Sequence, residues 1–157
     1  MNPAKMIKTG VVSLAAILIF PAALLAQSDG MTVAGKIMFR KTGDMFVKLL
    51  TAAEFEHPKE QAETPPAPLQ LKIAIGEAEQ QAKSVPFAFR DVPKGRYVVM
   101  VFQDENGNGV LDEGKFGPKE AWGMSILKKR PKFRAPKVDE VAFDLTQDIT
   151  DMEIEVK

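Results

Sequence analysis

YVVMVFQDENGNGVLDEG, residues 97–114, contains the two features that decide the fold. Its first part, residues 97–102, is apolar on both alternating faces, whereas a strand with one wet face alternates apolar and polar residues. Its second part, residues 103–112, is rich in Asp, Asn and Gly, which favour turns. This order predicts a central strand, covered on both sides, that ends in a polar loop.

Segments with an apolar residue at every second position lie on both sides of this central strand. Period two with one polar face is typical of half-buried antiparallel strands. The segments are MTVAGKIMFR (31–40), MFVKLL (45–50), LQLKIAI (69–75), VPFAF (85–89), VAFDL (141–145) and MEIEVK (152–157).

Together with the central strand, these segments make about seven short strands separated by turn residues. The chain is therefore predicted to be all-β, a single Greek-key antiparallel β-sandwich of the immunoglobulin-like type. Residues 53–68 are charged and then proline-rich, so we expect an exposed crossover there. Residues 103–139 form a long loop after the central strand, and loops of this length are usually functional or mobile.

The first 26 residues predict a cleaved signal peptide. Lys5 and Lys8 precede the apolar run GVVSLAAILIFPAALLA, and Ala26 is a small residue before QSDG. A retained membrane anchor is the less favoured alternative, because the run is short and Pro21 interrupts it. We expect the mature chain, residues 27–157, to be one periplasmic or secreted domain without a transmembrane segment.

Composition and residue inventory argue against several classes of function. The chain has no cysteine, which excludes thiol catalysis and thiolate metal sites. Removing the two lysines of residues 1–26 leaves 19 basic against 21 acidic residues, and this balance creates no field that favours nucleic acid. The lone His57 lies in a polar linker, and Ser84 and Ser125 lack a nucleophile context. The protein is predicted not to be an enzyme; a hydrolase using the loop carboxylates as acid and base is the disfavoured alternative.

The polar loop has the spacing of a calcium site. In D-x-N-x-N-G-x-x-D, oxygens from the first, third, fifth and ninth side chains and from the seventh carbonyl can converge on one hard cation. Lys115 stands at the twelfth position and cannot ligate, so another carboxylate would have to complete the site. A weak Ca²⁺ site is therefore predicted, and a metal-free turn stabilised by Asx hydrogen bonds is the alternative. The candidate ligands are Asp104, Asn106, Asn108, Val110, Asp112, Glu113 and Glu120.

A second candidate site combines the basic segment LKKRPKFRAPK, residues 127–137, with a nearby tryptophan. Cations interleaved with aromatics can bind a carbohydrate or another polymer of the cell envelope. The alternatives are a solvated basic loop and a tryptophan packed as a lid on the core. The candidate residues are Trp122, Lys128, Lys129, Arg130, Lys132, Phe133 and Arg134.

FRDVPKGRYVVMVFQDENGNGVLDEGKFGPKEAWGMS, residues 89–125, resembles the core of the secreted bacterial proteins grouped as domain of unknown function 2141. The shared features are a P-x-G-x-Y turn, a strand ending in D-x-N-x-N-G-x-L-D, and an F-G-x-P-K-E-like segment before an aromatic, here Trp122. The resemblance implies an exported β-sandwich similar to transthyretin-like and carboxypeptidase-regulatory-like modules. It implies no reaction. The basic loop before residue 141 and the stretch 56–75 depart from the family pattern.

These observations predict an exported, non-catalytic β-sandwich that binds or scaffolds at the cell envelope, with a structural calcium loop at residues 104–112. Its partner would be an envelope protein or polysaccharide and not nucleic acid. A carbohydrate- or polymer-binding module is the alternative. A buried Trp122 would favour the scaffold, whereas Trp122 and Phe133 exposed on one face would favour polymer binding.

Overall fold

The computed structural model describes residues 30–58, 69–132 and 134–157. The predicted signal peptide, residues 1–26, and Phe133 of the predicted polymer site lie outside the described residues. The strands are β1 (Met31–Met38), β2 (Asp44–Thr51), β3 (Leu69–Ile73), β4 (Ser84–Val92), β5 (Gly95–Asp104), β6 (Glu113–Gly114), β7 (Gly117–Pro118), β8 (Trp122–Met124), β9 (Phe143–Leu145) and β10 (Ile149–Glu155). The short helices are α1 (Ala52–Glu56), α2 (Glu77–Ala82) and α3 (Val138–Val141).

Two sheets form the body of the domain. The first has the strand order β10-β1-β4, and the second has the order β3-β2-β5-β8, with β9 also paired to β5. β6 and β7 form a separate two-stranded ribbon. β1 pairs with β4 and not with its chain neighbour β2, which is the arrangement that a Greek key produces.

Apolar side chains from both sheets meet in one core. Val33 and Ile37 of β1 and Val47 of β2 are fully buried, in the phase that the alternation predicted, and Val101 of β5 is fully buried with them. Lys36, between the two β1 residues, is exposed. Burying one such aliphatic side chain contributes about 1.5–3 kcal/mol, so this shared core is what holds the two sheets together.

β5 is covered on both faces, as residues 97–102 predicted. Val99 and Val101 face the core between the sheets, whereas Val98 packs with Val141 of α3 in a second cluster on the outer face. Ser125 ties this cover to the sheet, because its Oγ accepts from Val99 N at 2.9 Å and donates to the Val141 carbonyl at 2.7 Å.

β8 joins the two sheets along one edge. Trp122 N donates to the Lys157 carbonyl at 3.4 Å, and Lys157 N donates to the Trp122 carbonyl at 3.3 Å. The close approach requires glycine at position 123, because a Cβ there would lie 2.5 Å from the carbonyl oxygen of Glu155. We call this main-chain pairing of Trp122 with Lys157 the seam. It fixes the position of Trp122 in the segment that follows the Asp104–Asp112 loop.

The predicted fold class is confirmed, since the described chain is all-β apart from short helices and has two packed sheets. Two details differ from the prediction. β1 and β10 pair in parallel, because alternation indicates the faces of a strand but not its direction. The described residues form ten strands and not about seven, because β6, β7 and β8, inside the predicted long loop, are two or three residues long and too short for a readable pattern. Among the described residues, no helix has the length and apolarity needed to span a membrane.

Candidate functional site

The Asp104–Asp112 loop begins where β5 leaves the sheet. Asp104 is the last residue of β5 and is buried. Its Oδ1 accepts hydrogen bonds from the N–H groups of Gly107 (2.8 Å) and Asn108 (3.1 Å), and its Oδ2 accepts from Gly109 N at 2.8 Å. Gly107 and Gly109 both have φ of +78°, which only glycine adopts without strain. One carboxylate therefore organises the turn.

The side chains of Asn106, Asn108 and Asp112, at the third, fifth and ninth positions of the predicted calcium loop, meet one another. Asp112 Oδ2 accepts from Asn106 Nδ2 at 2.6 Å, and its Oδ1 accepts from Asn108 Nδ2 at 3.1 Å. The Oδ1 atoms of Asn106 and Asn108 accept from main-chain N–H groups two residues further on, at 3.0 and 2.9 Å. The sequence spacing thus corresponds to a real cluster, in which the asparagines also form Asx turns.

Glu120 joins the two ends of the Asp104–Asp112 loop by accepting hydrogen bonds from main-chain N–H groups at both ends. It is buried, its Oε1 accepts from Glu105 N at 2.9 Å, and its Oε2 accepts from Asp112 N at 3.3 Å. Glu105 in turn accepts from Ala121 N at 3.0 Å and pairs with Lys41 at 2.7 Å. Both oxygens of Glu120 are thus used to position the loop backbone.

The loop carries carboxylates that nearby cations do not neutralise. Within the described residues, no ion pair within 4.0 Å involves Asp104, Asp112 or Glu120. In the same part of the chain, no three Asp, Glu or His side chains form a group that could hold a metal ion. An ion in this loop would depend on two carboxylates with amide and main-chain oxygens, a donor set that binds calcium weakly.

Two residues proposed as ligands lie toward the periphery. Val110 is 57% exposed, and its N–H donates to Asn108 Oδ1. Glu113 is exposed in β6, where its backbone pairs with Pro118, and it lines a cleft together with Lys115. Glu113 therefore belongs geometrically to that cleft more than to the cluster around Asp112.

Trp122 and Arg130 of the second candidate site stack on each other. The guanidinium carbon of Arg130 lies 4.1 Å from the centroid of the Trp122 ring, and the guanidinium donates a hydrogen bond to the Trp122 carbonyl. Burial lowers the pKa of Arg130, and the charge of Glu155 opposes that shift. One face of the half-buried Trp122 ring is therefore covered by arginine and is not open to a sugar.

Arg134 is held by an acidic partner. Its two terminal nitrogens donate to the two carboxylate oxygens of Glu140, each at 2.7 Å, and this pairing lowers the pKa of Glu140 to about 2. By contrast, Lys128, Lys129 and Lys132 are exposed. The basic segment is thus not one uniform surface, because its arginines make internal contacts while these lysines face solvent.

Residues 39–153 match the family described as an uncharacterized protein conserved in bacteria, DUF2141. The match runs from the residue after β1 into β10. The chain belongs to this family. Comparisons with curated proteins and with solved structures found no match. Because the DUF2141 description states no activity, function has to be argued from the site.

The motifs shared with DUF2141 have identifiable structural roles. The Tyr97 hydroxyl donates to the Pro93 carbonyl at 3.0 Å and closes the turn between β4 and β5. Asp104 organises the loop, and Glu120 holds its ends, as described above. The residues that carry the family resemblance therefore build the loop and its supports, and the transthyretin-like detail stays a prediction.

One surface residue was not anticipated from the DUF2141-like sequence. Phe116, in the turn of the β6–β7 ribbon, is 92% exposed and stands beside a cleft of about 720 Å³. Met100, Trp122 and Met124 also line this cleft. The signal in the sequence was a phenylalanine in the glycine- and lysine-containing turn GKFG, where no strand pattern exists to bury it.

Proposed function

We propose that this protein is a non-catalytic β-sandwich module of the cell envelope, exported by the predicted signal peptide, whose Asp104–Asp112 loop binds calcium in a structural role. The meeting of the Asn106, Asn108 and Asp112 side chains, in a loop that Asp104 organises and at the spacing of a calcium loop, carries this proposal. Its partner in the envelope would be a protein or a polysaccharide.

The donor set suits a hard cation. Asp104, Asn106, Asn108 and Asp112 offer carboxylate and amide oxygens, and the Val110 carbonyl is the main-chain donor that the spacing predicts. An asparagine amide can present either its oxygen or its nitrogen, so the two amides that donate to Asp112 can become ligands when turned over, which exchanges their Asx-turn hydrogen bonds for contacts to the ion. A bound ion would supply the positive charge that the cluster otherwise lacks.

A non-catalytic role is supported by the placement of the polar groups. Ser125 is buried and both of its hydrogen bonds serve the packing of α3 against β5. His57 is exposed at the end of α1. The carboxylates of Asp104 and Glu120 are occupied by main-chain N–H groups, which leaves them poorly suited to exchange protons with a substrate.

Unfolding in calcium and in chelator tests the calcium proposal. A site with a Kd of about 10⁻⁴ M adds about 1.4 kcal/mol to the free energy of unfolding at about 1 mM ion. Asp112→Asn should lose most of that gain, because it removes one of two carboxylates while keeping an oxygen in place. Asp104→Ala is a poor test, because even without an ion it would leave the N–H groups of Gly107 and Gly109 without their acceptor and would remove one of the two acceptors of Asn108 N.

The matched control is Asp151→Asn on the exposed face of β10, which should keep the full calcium-dependent gain. Magnesium at the same concentration should have a smaller effect, because it demands a tighter octahedral shell. An equal calcium shift in Asp112→Asn and in the unmodified protein, or no shift in either, would rule out an ion in this loop.

A further inference from the structure

The cleft beside the β6–β7 ribbon has the size and lining of a small-ligand site. Its volume of about 720 Å³ lies within the range of sites that hold small molecules. The outer faces of β5 and β8 supply an apolar floor of Met100, Trp122 and Met124, and the ribbon supplies Phe116 and Pro118. Methionine and aromatic side chains adapt well to hydrocarbon surfaces.

Positive charge in this cleft is only partly neutralised. Arg130 has five N–H donors, and in the described residues its hydrogen bond goes to the Trp122 carbonyl, with no carboxylate within 4.0 Å. Lys115 lies 5.6 Å from the Phe116 ring centroid and likewise has no ion-pair partner in the part of the chain that is described. Glu113 is the carboxylate that lines the cleft, and Arg134 is already paired with Glu140. An anionic group would complement the remaining charge.

We propose that this cleft binds a single-chain amphipathic carboxylate, a fatty-acid-type anion. The hydrocarbon chain would lie over Met100, Met124 and the exposed face of Phe116, beside Trp122. The carboxylate would accept hydrogen bonds from Arg130, which is the planar donor best suited to a carboxylate. This site is independent of the calcium loop.

Two other ligand classes fit the cleft less well. An extended peptide that adds a strand needs a free main-chain edge, but β8 is paired with β5 on one side and with Lys157 on the other. A sugar needs an open aromatic face and many polar partners, but Arg130 covers the Trp122 ring and the floor is apolar. An apolar floor beside a guanidinium that has no carboxylate within 4.0 Å in the described residues therefore favours the amphipathic carboxylate.

The protein has a built-in reporter, because Trp122 is its single tryptophan. Monomeric decanoate should give a saturable change in Trp122 fluorescence, and 1-decanol should bind about tenfold more weakly because it lacks the charge. Arg130→Gln should weaken decanoate binding about tenfold and leave decanol binding unchanged. Phe116→Ser should weaken both ligands about fivefold, because it removes apolar contact.

Calorimetric titration accompanies the fluorescence, because Arg130→Gln uncovers the Trp122 ring and changes its emission directly. The matched controls are Lys129→Gln, an exposed cation outside the cleft, and Ile126→Ser, an exposed apolar residue outside the cleft, and both should bind decanoate normally. Should Arg130→Gln fail to fold, Phe116→Ser decides, since its side chain is almost fully exposed.

Three results would overturn the proposal. The first is the absence of saturable decanoate binding. The second is equal affinity of the unmodified protein for decanoate and decanol, with no effect of the cleft variants. The third is a Trp122 response to vesicles of anionic phospholipid without any response to monomeric decanoate, which would assign the surface to a membrane and not to a single-chain ligand.

Discussion

Asp104 and Glu120 show how single carboxylates shape a whole loop. Each uses both oxygens to accept main-chain N–H groups, and each is buried. The nine-residue spacing predicted that the four loop side chains converge; those of Asn106, Asn108 and Asp112 do meet, whereas Asp104 accepts from main-chain N–H groups of the loop. Glu120 was predicted to reach the loop as a metal ligand, but the sequence did not show that its two oxygens accept main-chain N–H groups, because its position depends on β8 pairing with β5, a contact distant in sequence. Phe116 escaped prediction for a similar reason, since its exposure follows from a two-stranded ribbon without a sequence pattern.

Tyr97 is a residue whose contribution can be isolated. Replacing it with phenylalanine removes the hydrogen bond to the Pro93 carbonyl and leaves the ring packing intact. Tyr97→Phe should lower the free energy of unfolding by about 0.5–1.5 kcal/mol, as measured by urea unfolding.

Titration of the tyrosinate absorbance gives an independent check, because Tyr97 is the single tyrosine. Burial, with the charge of Glu54, raises the pKa of Tyr97 above 10.0. Because the pKa of Tyr97 is raised in the folded state, the stabilisation that its neutral hydroxyl gives is fully present below pH 10.0. It is lost as pH rises through the folded-state pKa. A pKa at or below 10.0, together with an unchanged stability of Tyr97→Phe, would contradict the role given to this hydroxyl.

At the level of elements, alternation predicted which residues each long strand buries. Val85, Phe87 and Phe89 of β4 are buried and their neighbours Pro86 and Ala88 are exposed, as the pattern required. The parallel pairing of β1 with β10 could not be read, because it depends on chain direction and not on periodicity. The helix α2 was also missed, since six polar and small residues carry no amphipathic signal.

An acidic residue of α3 links this helix to the basic segment. Glu140 accepts two hydrogen bonds from Arg134 and one, at 2.8 Å, from Lys137 N, so it joins the basic segment to the start of the helix. The pKa of Glu140 is lowered to about 2 from 4.5, chiefly by the hydrogen bond from Arg134. A lowered folded pKa means that the pair stabilises the fold above pH 4.5 and that this stabilisation is lost as pH falls toward 2.

Carboxyl NMR should place the titration midpoint of Glu140 near 2 in the unmodified protein. Arg134→Gln should raise that midpoint toward 4.5, because the largest cause of the shift is removed. Arg40→Gln, which instead removes a contact to Glu155, should leave the Glu140 midpoint unchanged. If Arg134→Gln leaves the titration midpoint of Glu140 unchanged, the Arg134–Glu140 pair does not persist in solution.

On the scale of the whole molecule, the seam at Trp122 and Lys157 fastens the two sheets. The shared core was predictable from apolar periodicity, but the seam was not, because it rests on main-chain groups that every residue carries. The glycine at position 123 is a sequence feature that the seam requires. Its role becomes clear only from its short distance to β10 in the structure.

Gly123→Ala should separate the sheets at this edge. Its Cβ would meet the Glu155 carbonyl at 2.5 Å and Ile154 Cγ2 at 3.0 Å, so backbone must shift. We expect the free energy of unfolding to fall by about 1–3 kcal/mol, measured by denaturant unfolding. Gly76→Ala is the control and should cost less, because the atom in the way is the flexible end of Glu79, 3.0 Å from the new Cβ. Equal stability of the Gly123→Ala and unmodified proteins would contradict the seam.

The parallel pairing of β1 with β10 also has a consequence for how the chain acquires its structure. Thr32 N donates to Asp148 Oδ1 at 2.8 Å across a separation of 116 residues. Until residues 149–155 are available, β1 has one unpaired edge, and the core lacks Met152 and Ile154. Contacts this far apart carry a large loop-closure entropy and slow folding. The first described strand therefore completes its pairing only when the last strand has been made, and we expect the pairing of β1 with β10 to be a late step in folding.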